Sequence, residues 1–101
     1  MARSILTSPT IERAVVAHIK HHDIRAFDAA INYMIEECAE LIVAFRHLAR
    51  GRVSEDAVLE ELADVALMGR ICVDMFENRS ADFMALVDKK AARSIERNTH
   101  G

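Results

Sequence analysis

Two groups of acidic residues lie inside apolar segments of this sequence. The first is in "MIEECAELIVAF" (34–45) and the second in "VLEELADV" (58–65). In each group two acids are three residues apart, so on a helix they share one face. Crowded carboxylates repel one another and resist ionisation unless a cation compensates them. Mg²⁺ prefers oxygen ligands and leaves room for water and phosphate, so these four acids predict a divalent-cation site: Glu37, Glu40, Glu61 and Asp64.

The elements that must position these acids are helices, marked by their capping residues. Ser8 before Pro9 predicts the start of a helix over about 9–21. Asp23 is a cap for a second helix that reaches about 49, where Gly51 suits the stop. A third helix is expected from Ser54 to about 77 and a fourth from Ser80 to about 97.

Apolar residues on the second and third helices follow alternating spacings of four and three, typical of a buried face packed nearly parallel to its neighbours. Only a few residues around Gly51 join these helices, so they should form an antiparallel hairpin. Gly69 interrupts the third stripe, which predicts close approach of another backbone there. The expected fold is all-α, a single four-helix-bundle-like domain over 1–101 with flexible ends at about 1–7 and 98–101. The predicted stripes are Phe27, Ile31, Met34, Cys38, Leu41, Phe45 and Leu48, then Val58, Leu62, Val65, Gly69, Cys72 and Phe76.

The hairpin places the two acidic groups at similar heights. With a loop centred near residue 52, Glu40 is level with Asp64 and Glu61 lies about one turn away, at ~1.5 Å per residue. The alternative is that these acids line a solvated face and pair with nearby arginines. Two acidic pairs at matched heights favour the metal site over that alternative, in which the partners would be Arg46, Arg50 or Arg70.

The pattern Glu-Glu-x-x-Glu, a helix–loop–helix gap and then Glu-x-x-Asp resembles the signature of the MazG-like, all-α nucleoside triphosphate pyrophosphohydrolases. Here it reads "EECAE" at 36–40 and "ELAD" at 61–64, and the likeness spans roughly 27–97. The resemblance implies hydrolysis of a nucleoside triphosphate between its α and β phosphates, giving the monophosphate and pyrophosphate. It also implies that Mg²⁺, with Mn²⁺ as a possible substitute, is held by Glu37, Glu40, Glu61 and Asp64. Glu36 matches the first glutamate of the motif, which implies orientation or deprotonation of the attacking water.

The fourth helix ends in basic residues. Phe83, Leu86, Val87, Ala91 and Ile95 are expected to face inward, with Lys90, Arg93 and Arg97 extending the edge of that face. These three cations are candidate ligands for triphosphate oxygens, and "KAARSIER" resembles the family's basic pattern. Ser94 stands where other members carry an asparagine. The alternative is a solvated helix end whose cations complement the helix dipole.

Histidine and cysteine carry weaker signals. His18, His21 and His22 have the spacing of a transition-metal site, but a polar helix end explains them better. The chain has no Glu-x-x-His pair, which argues against a carboxylate-bridged di-iron bundle. Cys38 and Cys72 lie in apolar stripes and are expected to be reduced thiols.

The composition limits the classes of partner that this protein is expected to bind. A net charge of −3 does not favour nucleic-acid binding. No apolar run reaches the ~20 residues that span a bilayer and no signal peptide is evident, so a cytoplasmic protein is expected. An apolar fraction of 51% in 101 residues indicates burial against further copies, as a homodimer or homotetramer. Two alternatives stay open beside the hydrolase: a non-catalytic helical interaction module, and a hydrolase acting on another nucleotide-like pyrophosphate compound.

Overall fold

The computed structural model describes residues 8–22, 26–76 and 79–100, and its description of side chains does not extend to residues 19, 21, 22, 26, 27 and 100. Four helices occupy these ranges: α1 (Pro9–His22), α2 (Ala26–Ala49), α3 (Glu55–Met75) and α4 (Ser80–His100). The described ranges contain no β-strand. The predicted all-α, bundle-like fold is confirmed.

Serine caps begin α1 and α3, as predicted. The Ile11 N–H donates to Ser8 Oγ at 3.1 Å, and Pro9 takes the first helical position, where its missing N–H removes no helical hydrogen bond. The Ala57 N–H donates to Ser54 Oγ at 3.2 Å. The predicted Asp23 cap of α2 lies outside the described residues.

Gly51 ends α2 in the left-handed conformation, with φ 70°. The Gly51 N–H donates to Leu48 O at 2.9 Å and the Arg52 N–H donates to His47 O at 2.8 Å. These two hydrogen bonds form a Schellman motif, which satisfies carbonyls that the helix end would leave without partners. Residues 50–54 connect α2 to α3, and this short connection lets the two helices pack against each other.

The ends of α3 and α4 differ from the prediction by two and three residues. α3 ends at Met75 rather than 77, and the Phe76 N–H donates to Val73 O at 3.1 Å. α4 continues past 97 to His100. The Thr99 hydroxyl donates to Ile95 O at 2.7 Å and Asn98 Nδ2 donates to Ser94 Oγ at 3.3 Å, so the polar end of the chain extends the helix.

The α2–α3 hairpin is the centre of the fold and α1 packs against both of its helices. Val15 of α1, Ala30 of α2 and Ile71 of α3 form the main buried cluster. A bidentate ion pair ties α1 to α3, with Arg70 Nη1 and Nη2 at 2.8 and 2.9 Å from the Glu12 carboxylate oxygens. The predicted hairpin is therefore confirmed, and α1 closes its far end.

The cysteines sit beside this core. Cys38 and Cys72 are partly buried free thiols, as predicted. The Cys72 Sγ–H points at Ala30 O, 3.7 Å away, and burial raises the pKa of this thiol.

Helix α4 is joined to the rest of the described chain only through α3. The prediction that its apolar residues face inward is wrong for the single chain. Phe83, Leu86, Val87 and Ile95 are 43, 52, 41 and 68% exposed, and Ala91 is also exposed. The apolar period on α4 is real, but within the described chain only α3 contacts this helix, and it leaves these side chains largely exposed.

None of the described helices has the length and apolar character needed to cross a membrane.

Gly69 does not have the close backbone neighbour predicted for it. A Cβ built at this position meets nothing within 4 Å. Glycine inside a helix costs about 0.5–1 kcal/mol relative to alanine, because it loses more backbone entropy on folding. We therefore expect Gly69→Ala to raise the free energy of unfolding by about that amount, measured as a higher urea midpoint at fixed protein concentration.

Gly51→Ala is the matched control for this substitution. Its site is equally open, but its φ of 70° disfavours any residue with a Cβ. The same change should lower the urea midpoint there. A loss of stability at Gly69 would show that another backbone does approach that position.

Candidate metal centre

Three carboxylates converge where α2 and α3 face each other. Glu37 of α2 and Glu61 and Asp64 of α3 each place one oxygen so that all three lie within 4.8 Å of one another. Glu61 and Asp64 are three residues apart and share a helix face. The hairpin, rather than local sequence, brings Glu37 to them. The predicted convergence of acids across the two helices is therefore present.

Burial and mutual repulsion both act on this cluster. Oε2 of Glu37 and Oε2 of Glu61 are buried, and neither has a hydrogen-bond partner among the described residues. Burial raises the pKa of Glu37, and the neighbouring charges of Glu40 and Asp64 raise it further. Burial likewise raises the pKa of Glu61, followed by the charge of Glu40. Both carboxylates pay a desolvation cost that no cation among the described residues is seen to offset.

The pairing across the hairpin differs from the predicted register. Glu37 lies beside Asp64, and Glu61 lies beside Glu40. The prediction that Glu40 is level with Asp64 is wrong by about one turn. Glu37 beside Asp64 and Glu40 beside Glu61 both place the centre of the hairpin between residues 50 and 51 rather than at residue 52. The true centre of the hairpin therefore precedes the midpoint of the loop.

The donor set fits a hard divalent cation. All the contributing atoms are carboxylate oxygens, which Mg²⁺ and Mn²⁺ accept readily. Oε2 of Glu37 and Oε2 of Glu61 are buried with no hydrogen-bond partner among the described residues, whereas Asp64 is exposed. An ion bound by Glu37, Glu61 and Asp64 would satisfy the orphaned oxygens and keep a face for water or a ligand. Glu40 is adjacent to Glu61 but is not one of the three converging residues.

The arginine nearest in sequence to Glu61 and Asp64 has acidic partners elsewhere. Arg70 pairs with Glu12 at 2.8 Å and with Asp74 at 3.1 Å. Hydrogen bonds to both acids raise the pKa of the guanidinium. The pair with Glu12 therefore ties α1 to α3, and the pair with Asp74 lies within α3.

The other predicted site residues lie apart from the converging acids. Glu36 is exposed, one residue and so about 100° around α2 from Glu37. Lys90, Arg93 and Arg97 are exposed on α4, which makes no contact with α2 in the described part of the chain. The single chain therefore does not bring these cations to Glu37 or Glu40. Their assigned roles stay predictions.

A groove beside the acids was not predicted from the sequence. It has a volume of about 420 Å³, within the range of ligand sites. Glu40 and Glu61 border it, and small or branched apolar side chains make most of its wall. The signal for it is the small residues on the two facing helices, which leave space between them. The remaining lining residues are Ala39, Val43, Ala44, His47, Val53 and Ala57.

The histidine trio is described only in part. His18 lies edge-on to Tyr33, with ring centroids 6.1 Å apart and an interplanar angle of 71°. This arrangement is a packing contact between α1 and α2. The side chains of His21 and His22 lie outside the described residues, so the structure does not test the transition-metal alternative.

Comparisons of the chain with models of protein families, with curated proteins and with solved structures gave no match.

Proposed function

We propose that this chain is a Mg²⁺-dependent nucleoside triphosphate pyrophosphohydrolase of the MazG-like, all-α kind. The observation that carries the proposal is the convergence of one oxygen each from Glu37, Glu61 and Asp64 within 4.8 Å, together with a buried Oε2 on Glu37 and on Glu61 that has no hydrogen-bond partner among the described residues. Such a cluster is unfavourable for a protein without a cation and well suited to one that binds a metal–phosphate complex. The sequence pattern at 36–40 and 61–64 supports the same reaction class.

Each acid has a role in this proposal. Glu37, Glu61 and Asp64 hold the ion, and Glu40 adds negative charge beside Glu61. A bound Mg²⁺ neutralises charge on phosphate oxygens and lowers the pKa of coordinated water. Glu36, which the motif suggests for water activation, is exposed about 100° around α2 from Glu37, so this role rests on the motif alone.

The groove supplies a site for the nucleoside part of the substrate. Its apolar wall begins at Glu40 and Glu61, so a ligand whose phosphates meet the acids can lay its sugar and base on Val43 and Ala44. His47, at the rim, offers a flat ring that can stack on a base and nitrogen atoms that can hydrogen-bond to it. Lys90, Arg93 and Arg97 are the proposed contacts to the outer phosphates.

The test is a panel of ribo- and deoxynucleoside triphosphates with Mg²⁺ or Mn²⁺, followed for pyrophosphate and monophosphate. Pyrophosphate release that requires the metal supports the proposal. Release of inorganic phosphate and a diphosphate would place the cleavage at a different bond. Including nucleotide-like pyrophosphate compounds in the panel covers the variant in which the site acts on another substrate.

A second candidate is a non-catalytic helical interaction module, which the exposed apolar residues of α2 and α4 favour. Thermal unfolding with millimolar Mg²⁺ or Mn²⁺ separates the two. A metal site shifts the midpoint upward, because an ion that binds only the folded state stabilises it. No shift and no hydrolysis of any compound in the panel would favour the module.

A further inference from the structure

The groove between α2 and α3 has two chemically different ends. Glu40 and Glu61 border one end, beside the converging acids. His47 and Val53 border the other, where α2 passes into the connection with α3. Glu40 and His47 are seven residues apart, which is about 10 Å along the helix. A nucleotide whose phosphates meet the acids therefore places its base toward His47 and Val53, and we call this the base end of the groove.

The base end is surrounded by hydrogen-bond donors. Arg46, Arg50 and Arg52 are exposed, and among the described residues none of the three has an ion pair or a side-chain hydrogen bond. Arginine offers five N–H donors in a planar fork and no acceptor. Cations near the end of α2 also complement the helix dipole, a role that leaves their N–H groups available to a ligand.

Arg50 is the arginine best placed to reach the groove. Its backbone N–H donates to His47 O at 3.2 Å, so the turn of the helix continues as far as residue 50. The lining residues Val43 and His47 precede Arg50 by seven and three residues, spacings that place all three on one side of α2. Arg46 is about 100° around the helix from His47 and therefore lies farther from the groove.

Hydrogen-bond acceptors are scarce at the base end. The stretch 41–53 contains no acid, amide or hydroxyl side chain, and only the imidazole of His47 can accept, through one nitrogen. The backbone oxygen of His47 already accepts from two N–H groups, at 3.2 and 2.8 Å. Ser54 Oγ accepts from a backbone N–H of α3 at 3.2 Å. Glu55 and Asp56 begin α3, but neither lines the groove.

We infer that this site selects nucleotides whose base presents a carbonyl oxygen, rather than an amino group, to Arg50. Guanine and hypoxanthine offer O6 and N7 as a pair of acceptors that the guanidinium fork can meet with two N–H bonds, and uracil and thymine offer O4. Adenine and cytosine place an NH₂ donor at the same position, so donor would face donor and both groups would lose their hydrogen bonds to water. The inference rests on the proposed pyrophosphohydrolase and names the class of base that it accepts.

Two pairs of substrates isolate this single atom. Inosine triphosphate (ITP) differs from ATP at position 6 of the base, an oxygen against an NH₂ group, and UTP differs from CTP in the same way at position 4. Wild type should have a kcat/KM at least about fivefold higher for ITP than for ATP and for UTP than for CTP, since a well-formed arginine–base contact discriminates by that factor or more.

Variants of Arg50 show whether this residue makes the selection. Arg50→Gln should bring both ratios to within about twofold of one, because an amide offers a donor and an acceptor. Arg50→Glu should invert them in favour of ATP and CTP, a change of sign that a loss of folded protein does not produce. Arg13→Gln is the matched control, since Arg13 is exposed on α1 and does not line the groove, and it should keep the wild-type ratios.

Binding of the monophosphates IMP and AMP measures the preference without catalysis, because neither has a bond between α and β phosphates. Titration calorimetry with Mg²⁺ should give wild type a lower Kd for IMP, and Arg50→Gln equal values for both. Hydrolysis with equal kcat/KM within each pair, or a preference that Arg50→Gln keeps, would overturn the inference and leave the hydrolase standing. A preference for IMP without hydrolysis of any nucleotide would support the base site and overturn the hydrolase. Neither binding nor hydrolysis would overturn both.

Discussion

Glu61→Gln and Asp64→Asn should each lower kcat/KM for metal-dependent pyrophosphate release by at least about 100-fold. Both residues contribute an oxygen to the converging group, and Oε2 of Glu61 is buried without a hydrogen-bond partner. An amide offers one neutral oxygen in place of a charged pair, so a hard cation loses both charge and a ligand. The measurement is steady-state hydrolysis of the best nucleotide in the panel, over a range of Mg²⁺ concentrations.

Glu60→Gln is the matched control, because it makes the same change one residue away. Glu60 is exposed on α3 and is not one of the three converging residues. Its activity should stay within about twofold of wild type, and circular dichroism should show equal helicity in all variants. Hydrolysis that survives both Glu61→Gln and Asp64→Asn would remove the metal assignment and show that the reaction takes place at another part of the chain.

Glu40 provides a graded test of the same site. The structure places it beside Glu61 but outside the group of three. Glu40→Gln should therefore raise the Mg²⁺ concentration needed for half-maximal activity, and cost less at saturating metal than Asp64→Asn does. Equal losses at saturating metal would make Glu40 a full ligand, as the sequence motif implies.

The local structure followed from the sequence wherever one or two residues decide it. Ser8 and Ser54 cap their helices through side-chain oxygens, an interaction with residues three positions along the chain. Gly51 ends α2 because only glycine takes a positive φ at low cost. The approach of acids from two helices could also be predicted from the sequence, because their spacing along each helix and the short connection place them on facing sides. These features depend on short-range geometry, which the sequence records directly.

Features that depend on how one helix is placed against another could not be predicted from the sequence. The height of Glu37 against Asp64 depends on how the connection between α2 and α3 turns, and it differs from the predicted register by about one turn. The apolar spacing of α4 correctly marks a face that needs a partner, but spacing does not say whether the partner belongs to the same chain. Ile95, 68% exposed, shows that in the single chain it does not.

Stability against pH should reveal the strain in the acidic cluster. Burial, reinforced by neighbouring carboxylates, raises the pKa of Glu37 and Glu61 above the ordinary 4.5. Between 4.5 and the raised values the folded state holds protons that the unfolded state releases, so the free energy of unfolding falls as pH rises through that window. Glu12 acts in the opposite sense: its hydrogen bond to Arg70 lowers its pKa, and its contribution is lost as pH falls through the lowered value. The contribution of these three acids to the stability of the metal-free protein should therefore be largest near pH 4.5.

Glu37→Gln should reduce the fall in the free energy of unfolding as pH rises above 4.5. It should also raise the thermal midpoint of the metal-free protein at pH 7, because it removes a charge that the fold buries with no counter-ion among the described residues. In wild type, Mg²⁺ should also raise the thermal midpoint at pH 7. At a concentration one hundred times its Kd, the ion adds about 2.7 kcal/mol to the free energy of unfolding. The variant should gain much less from the metal, while Glu36→Gln, one residue away and exposed, should behave as wild type. Thermal unfolding of wild type and the two variants, with and without Mg²⁺, is the only measurement required. It tests the metal site even if no substrate of the protein has been identified. A metal-free wild type whose stability rises steadily from pH 4.5 to 7 would show that Glu37 and Glu61 have a counter-charge already, and that no ion is needed to explain the cluster.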